Sequence, residues 1–106
     1  MFRRVVDVVH DVAEALKATL PTERVYLMSL GSHQGNAHVH WHVAPLPPGV
    51  PYERQQFHAV MAENGVLEVT PEQQAALAAR IRSALQAQMK LSALHRNDHA
   101  RSADRQ

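Results

Sequence analysis

The chain contains no cysteine. That excludes a disulfide framework and any thiolate metal site, and it fits a reducing cytoplasm, the expected compartment. Long apolar runs are also missing, so nothing in the sequence suggests a membrane span or a membrane partner. No charge sign dominates. The 11 Lys and Arg residues against 10 Asp and Glu leave a net charge of +1 with histidines neutral, too small a field to point to nucleic acid. The start, Met1-Phe2-Arg3-Arg4, has a basic opening, but Asp7, His10, Asp11 and Glu14 interrupt what would be a signal core, so no targeting segment is read. Aromatics make up only 5% of 106 residues, which describes one small domain with little core to spare. Hydrophobic residues at 45% still argue against wholesale disorder.

What is present is more pointed. Residues 2 to about 20 carry Phe2, Val5, Val9, Val12, Leu16 and Leu20 at helical spacing, with Val6 and Ala13 widening the stripe. Asp7, Asp11, Glu14 and Lys17 fall on the expected outer side, and Pro21 ends the helix. Its beginning is odd: no capping residue precedes Phe2, and Arg3 and Arg4 stand where the helix dipole prefers acids. A helix that starts uncapped at the first methionine reads as cut into rather than begun, or else as frayed.

Residues 24–30 read as a strand buried on both sides at its middle, followed by a turn-rich loop, residues 31–36. Residues 46–51 hold three prolines and must run extended at an edge or over the surface. Tyr52 to Val60 is assigned as a short helix, and Asn64-Gly65 as a turn. Thr70-Pro71-Glu72-Gln73 is a capping box that opens a second long helix, with Leu77, Ile81, Leu85 and Met89 on its stripe and Arg80 and Arg82 outside it. That helix is expected to end near residue 91. Residues 1–91 then form one domain, and 92–106 a disordered polar tail.

Between the strand and the prolines lies His38-Val39-His40-Trp41-His42-Val43-Ala44-Pro45. Period-two alternation with β-branched and aromatic partners is strand patterning, so one face carries three imidazoles and the other an apolar set. Pro45 is expected to end the ladder. Trp41 belongs to the apolar face and to core packing, with substrate stacking as the alternative.

Three uses of such a face compete. A zinc site is disfavoured by length: His38 and His42 are roughly 13 Å apart along a strand, while Zn–N bonds are about 2.0–2.1 Å. A pair completed by His33 or His58 is the remaining metal option. A histidine-rich solvated face is the plain structural option, although no packing requirement selects three imidazoles. Catalysis on phosphate is the third. A neutral imidazole is nucleophilic near pH 7, and the middle histidine has a neighbour on each side to orient it or to donate to phosphate oxygens. The preceding loop could add backbone N–H groups and the Gln34 amide to the same anion. This chemistry needs no metal and no cofactor.

With Pro45 following, this pattern resembles the signature of the histidine triad (HIT) superfamily. The order of elements also resembles that family: helix, strand, Gly-containing loop, triad strand and Pro-rich exit. The proline exit and the later capped helix resemble a bacterial HIT-like subgroup. The resemblance implies an α+β fold built on an antiparallel sheet with a long N-terminal helix and a C-terminal helix, in a homodimer. It also implies hydrolysis or transfer at the α-phosphate of a nucleotide or dinucleotide through a nucleotidyl-histidine intermediate. His40 would be the nucleophile, His38 would hold its tautomer, and His42 would bind phosphate or assist the leaving group. Gln34 falls where the family often places a polar residue against the phosphate, with Gly35 and Asn36 beside it where Ser or Thr is common. The usual N-terminal strands have no counterpart here, so the chain resembles the C-terminal part of such a domain. A non-catalytic dimeric nucleotide-binding module and a zinc-binding protein are the alternatives. RNA binding ranks below both, because Arg80, Arg82 and the tail cations are scattered without an aromatic platform.

Overall fold

A computed structural model describes residues 2–29 and 40–104 of the chain. Helix α1 runs Phe2–Thr19, strand β1 Arg24–Met28 and strand β2 His42–Leu46. Short helix α2 (Phe57–Val60) lies between single 3₁₀ turns at Tyr52–Arg54 and Ala62–Asn64, and helix α3 runs Pro71–Asp104. Among the described residues the fold is α+β: two strands paired antiparallel, one long helix before them and a longer one after.

The stripe of α1 folds as its spacing predicts at Val9, Ala13 and Leu16, which are buried. A second row, Asp11, Ala15 and Thr19, is buried as well, and this corrects the expectation that Asp11 faces outward. The reason is that α1 has two partners. Val9 and Ala13 face the sheet side, where they line a cavity with Val25 and Trp41. The Asp11 row faces α3, where Asp11 Oδ1 accepts from Ser92 Oγ at 2.6 Å. Arg80 Nη2 donates to the Thr19 carbonyl at 2.7 Å, satisfying an acceptor that the helix end leaves open. Since residue 11 meets 92 and residue 19 meets 80, the two helices are antiparallel.

Helix α3 starts as its local signals require. Thr70 N–H donates to Gln73 Oε1 at 3.0 Å, and Gln73 N–H donates back to Thr70 Oγ1 at 3.1 Å. Thr70→Ala is expected to cost about 1 kcal/mol, read from a denaturant midpoint shift at constant slope. The helix end differs from expectation. Residues 92–104, read as a polar tail, continue the helix, because no glycine or proline interrupts them and arginine and alanine are strong helix formers. At 34 residues, α3 is about 51 Å long. That nearly equals the 54 Å longest dimension of the molecule. The stripe faces α1 at Leu77, Ile81, Leu85, Gln88 and Ser92, while Met89 is half exposed, rotated off the contact.

In the sheet Arg24 pairs with Leu46 and Met28 with His42. Pro45 does not end the ladder. It pairs with Val25 inside β2, which is tolerated because, among the described residues, β2 is paired along one edge only. β1 is only half buried, with Leu27 49% exposed, rather than covered on both sides. The expected helix from Tyr52 to Val60 is broken by Gln56 at φ 60°, whose backbone N–H donates to Tyr26 Oη at 2.7 Å. That bond ties the segment after the prolines to β1.

Candidate functional site

The histidine stretch enters the sheet later than its alternation suggests. Only His42 lies within β2; His40 and Trp41 precede it, since the ladder on β1 stops at Met28. One tie extends the contact beyond the ladder: Ser29 Oγ donates to the His40 carbonyl at 3.0 Å. Sequence reasoning missed Ser29. Its signal was a hydroxyl immediately after the strand, level with the histidines once the register is known.

His40 is half buried and His42 exposed. Their rings meet edge to face, with centroids 5.5 Å apart and planes at 89°. Two imidazoles at this separation can act on one phosphoryl group, one at phosphorus and the other at a non-bridging or leaving oxygen. Trp41 lines one space beneath α1 with Val25 and a second with Val43, so it sits with apolar residues, but His40 lines the second space too and is not on an opposite face as strand parity predicts. His38, Gln34, Gly35 and Asn36, along with His33, lie outside the described residues. His58 is exposed beyond the prolines and lines a separate groove with Tyr26 and Arg54. Among the described residues, no three His, Cys, Asp or Glu side chains are grouped to hold a metal ion.

A groove of about 510 Å³ opens between the first half of α1 and the start of β2. Its walls are valines and Trp41, and its polar lining is Arg4 and His40. Arg4 is the second residue that sequence reasoning missed as a site member, although a cation in the first turn of α1, where the helix dipole prefers acids, marked it as unusual.

Compared with protein-family models, curated proteins and solved structures, the chain matches none. The site is therefore read from its own geometry. Among the described residues no helix is long and apolar enough to cross a membrane.

Proposed function

We propose that the protein is a nucleotide hydrolase or nucleotidyltransferase of histidine triad type, acting at the α-phosphate of a nucleotide or dinucleoside polyphosphate in the cytoplasm. The observation that carries the reading is the His40–His42 pair, held edge to face at 5.5 Å beside the strand entry. A neutral nitrogen of His40 attacks the α-phosphorus, and the bond from phosphorus to the leaving group breaks. His42 holds a phosphate oxygen or passes a proton to the departing group, and His38 sets the His40 tautomer. Water then attacks the nucleotidyl-imidazole at phosphorus and gives up a proton to His42, which restores the one passed to the departing group. The P–N bond breaks, the nucleoside monophosphate leaves, and the nitrogen lone pair returns to His40. A second acceptor in place of water makes the same intermediate a transfer reaction. Loss of turnover in His40→Ala tests the proposal.

The exposure of His42 favours one other reading, a module that binds nucleotide without turning it over. Micromolar binding by calorimetry with no hydrolysis selects that reading instead.

A homodimer is part of the proposal. Tyr52, Phe57, Val66 and Leu67 are each 75% exposed or more, and large exposed apolar area of this kind marks interaction surfaces. Sedimentation is expected to give twice the 11.8 kDa chain mass, and Leu67→Glu is expected to shift the protein toward monomer.

A further inference from the structure

Past Ser92 the last part of α3 is exposed at every residue from 93 to 104, and the reaction at His40 uses none of it. This segment carries His95 and His99. Four residues along a strand span about 13 Å. Four along a helix make about one turn and leave the Cβ atoms about 5–6 Å apart. His95, Arg96 and His99 line a single surface depression, so the two rings share one side of the helix. His99 Nδ1 lies 3.1 Å from the His95 carbonyl oxygen. A carbonyl only accepts, so Nδ1 carries the proton and donates, and in the neutral ring the lone pair falls on Nε2. The bond also leans the His99 ring back over the turn that bears His95. Histidines that hold metals are arranged in this way, with one ring N–H fixed on a carbonyl and the other nitrogen turned to the ion.

We infer that His95 and His99 form a chelating site for a late first-row divalent ion, of the class of Zn²⁺, Ni²⁺ and Cu²⁺. The site shares no residue with the His40 reaction and stands or falls apart from it. Two histidines one turn apart on a helix face are a spacing that holds zinc. Bonds of about 2.0–2.1 Å to a four-coordinate ion set two ligand nitrogens about 3.4 Å apart. Rings converging from Cβ atoms one turn apart reach that separation. Imidazole suits these ions, while Mg²⁺ and Ca²⁺ prefer oxygen ligands. Among the described residues no third His, Cys, Asp or Glu completes a ligand set, so water fills the remaining positions and the ion is exchangeable. Arg96 brings a positive charge to the depression and makes phosphate the rival occupant. The neutral His99 ring favours the metal, because it turns a lone pair outward and not a proton. Arg96 is exposed and free to carry its guanidinium into water.

The chain has 8 histidines, so the test must locate the ion as well as count it. Substoichiometric Cu²⁺ is added to the full chain, free of any purification tag, and the backbone amide NMR signals are followed. Signals around His95 and His99 are expected to broaden, and this needs no variant. Calorimetry then compares Mn²⁺, Ni²⁺ and Cu²⁺, with Cu²⁺ expected to bind tightest and Mn²⁺ weakest. His95→Ala and His99→Ala should each abolish the local broadening and weaken Ni²⁺ by about tenfold or more, since even outer-shell changes at a metal site cost that much. Arg96→Ala should tighten Ni²⁺ by about threefold, because it removes a like charge beside the ion. All three positions are exposed, and circular dichroism checks that the helix persists. Broadening confined to the residues around His40 and His42 overturns the inference. So does Ni²⁺ binding that is absent in wild type or unchanged in both histidine variants. Heat from inorganic phosphate that Arg96→Ala removes, with none from the metals, assigns the depression to an anion and overturns it as well.

Discussion

His40→Ala is expected to lower kcat for an adenosine phosphoramidate or a dinucleoside polyphosphate by about 10⁴- to 10⁶-fold, the scale on which removing a covalent nucleophile acts. The fold should survive. His40 lies outside the ladder, and its tie to Ser29 runs through the backbone carbonyl, which alanine keeps. The loss should therefore appear with an unchanged circular dichroism spectrum. His42→Ala should cost less, because binding an oxygen or assisting departure supplements the attack rather than supplying it. Equal turnover in wild type and His40→Ala contradicts the reaction outright.

The largest stability effect is expected at Asp11. Its carboxylate is 6% exposed at the α1–α3 contact and takes Ser92 Oγ at 2.6 Å and Gln88 Nε2 at 3.5 Å, with His10 Nδ1 3.5 Å away. Burial alone raises its pKa, but the hydrogen bonds from Ser92 and Gln88, together with His10, outweigh burial and hold the carboxyl below its ordinary value. Asp11→Ala leaves the Ser92 hydroxyl without its acceptor. The cost is about 1.5–3 kcal/mol, the range for hydrogen bonds to a charged group. In a domain with few buried apolar side chains, a loss of this size should lower the thermal midpoint by roughly 10 °C. The sign of the pH dependence follows from the lowered pKa. The stability that Asp11 contributes is fully present above the unfolded-state carboxyl pKa of about 3.9 and disappears as pH falls through the lower folded value. Acid titration of wild type should therefore show a loss of stability below about pH 4 that Asp11→Ala lacks.

Asp11 also marks how far the sequence could be read. Its partner Ser92 lies 81 positions away, and no local pattern announces a contact at that distance. Helical periodicity put Val9 and Leu16 inside but had no means of showing that α1 is covered on two sides. The start of α3 was legible because Thr70 and Gln73, three positions apart, cap it through reciprocal local bonds. Its end was not, because a polar sequence free of glycine and proline suits a solvated helix as well as a tail. At the candidate site, alternation put Trp41 with apolar residues, but it could not show that β1 ends at Met28, which leaves His40 ahead of the ladder and in the same groove as Trp41. Arg4 joins the groove only through the packing of α1 over β2, a relation between segments almost forty residues apart.

The central claim is that His40 carries the nucleotidyl group, and rapid-quench mass spectrometry tests it most directly. Wild-type protein mixed with a dinucleoside polyphosphate is quenched at alkaline pH, where the phosphoramidate bond survives, and then digested and sequenced by fragmentation. The account predicts a nucleoside monophosphate adduct on His40 that forms and decays at rates compatible with turnover. Turnover with the adduct on another residue, or with no adduct under conditions that preserve a phosphohistidine standard, would contradict it.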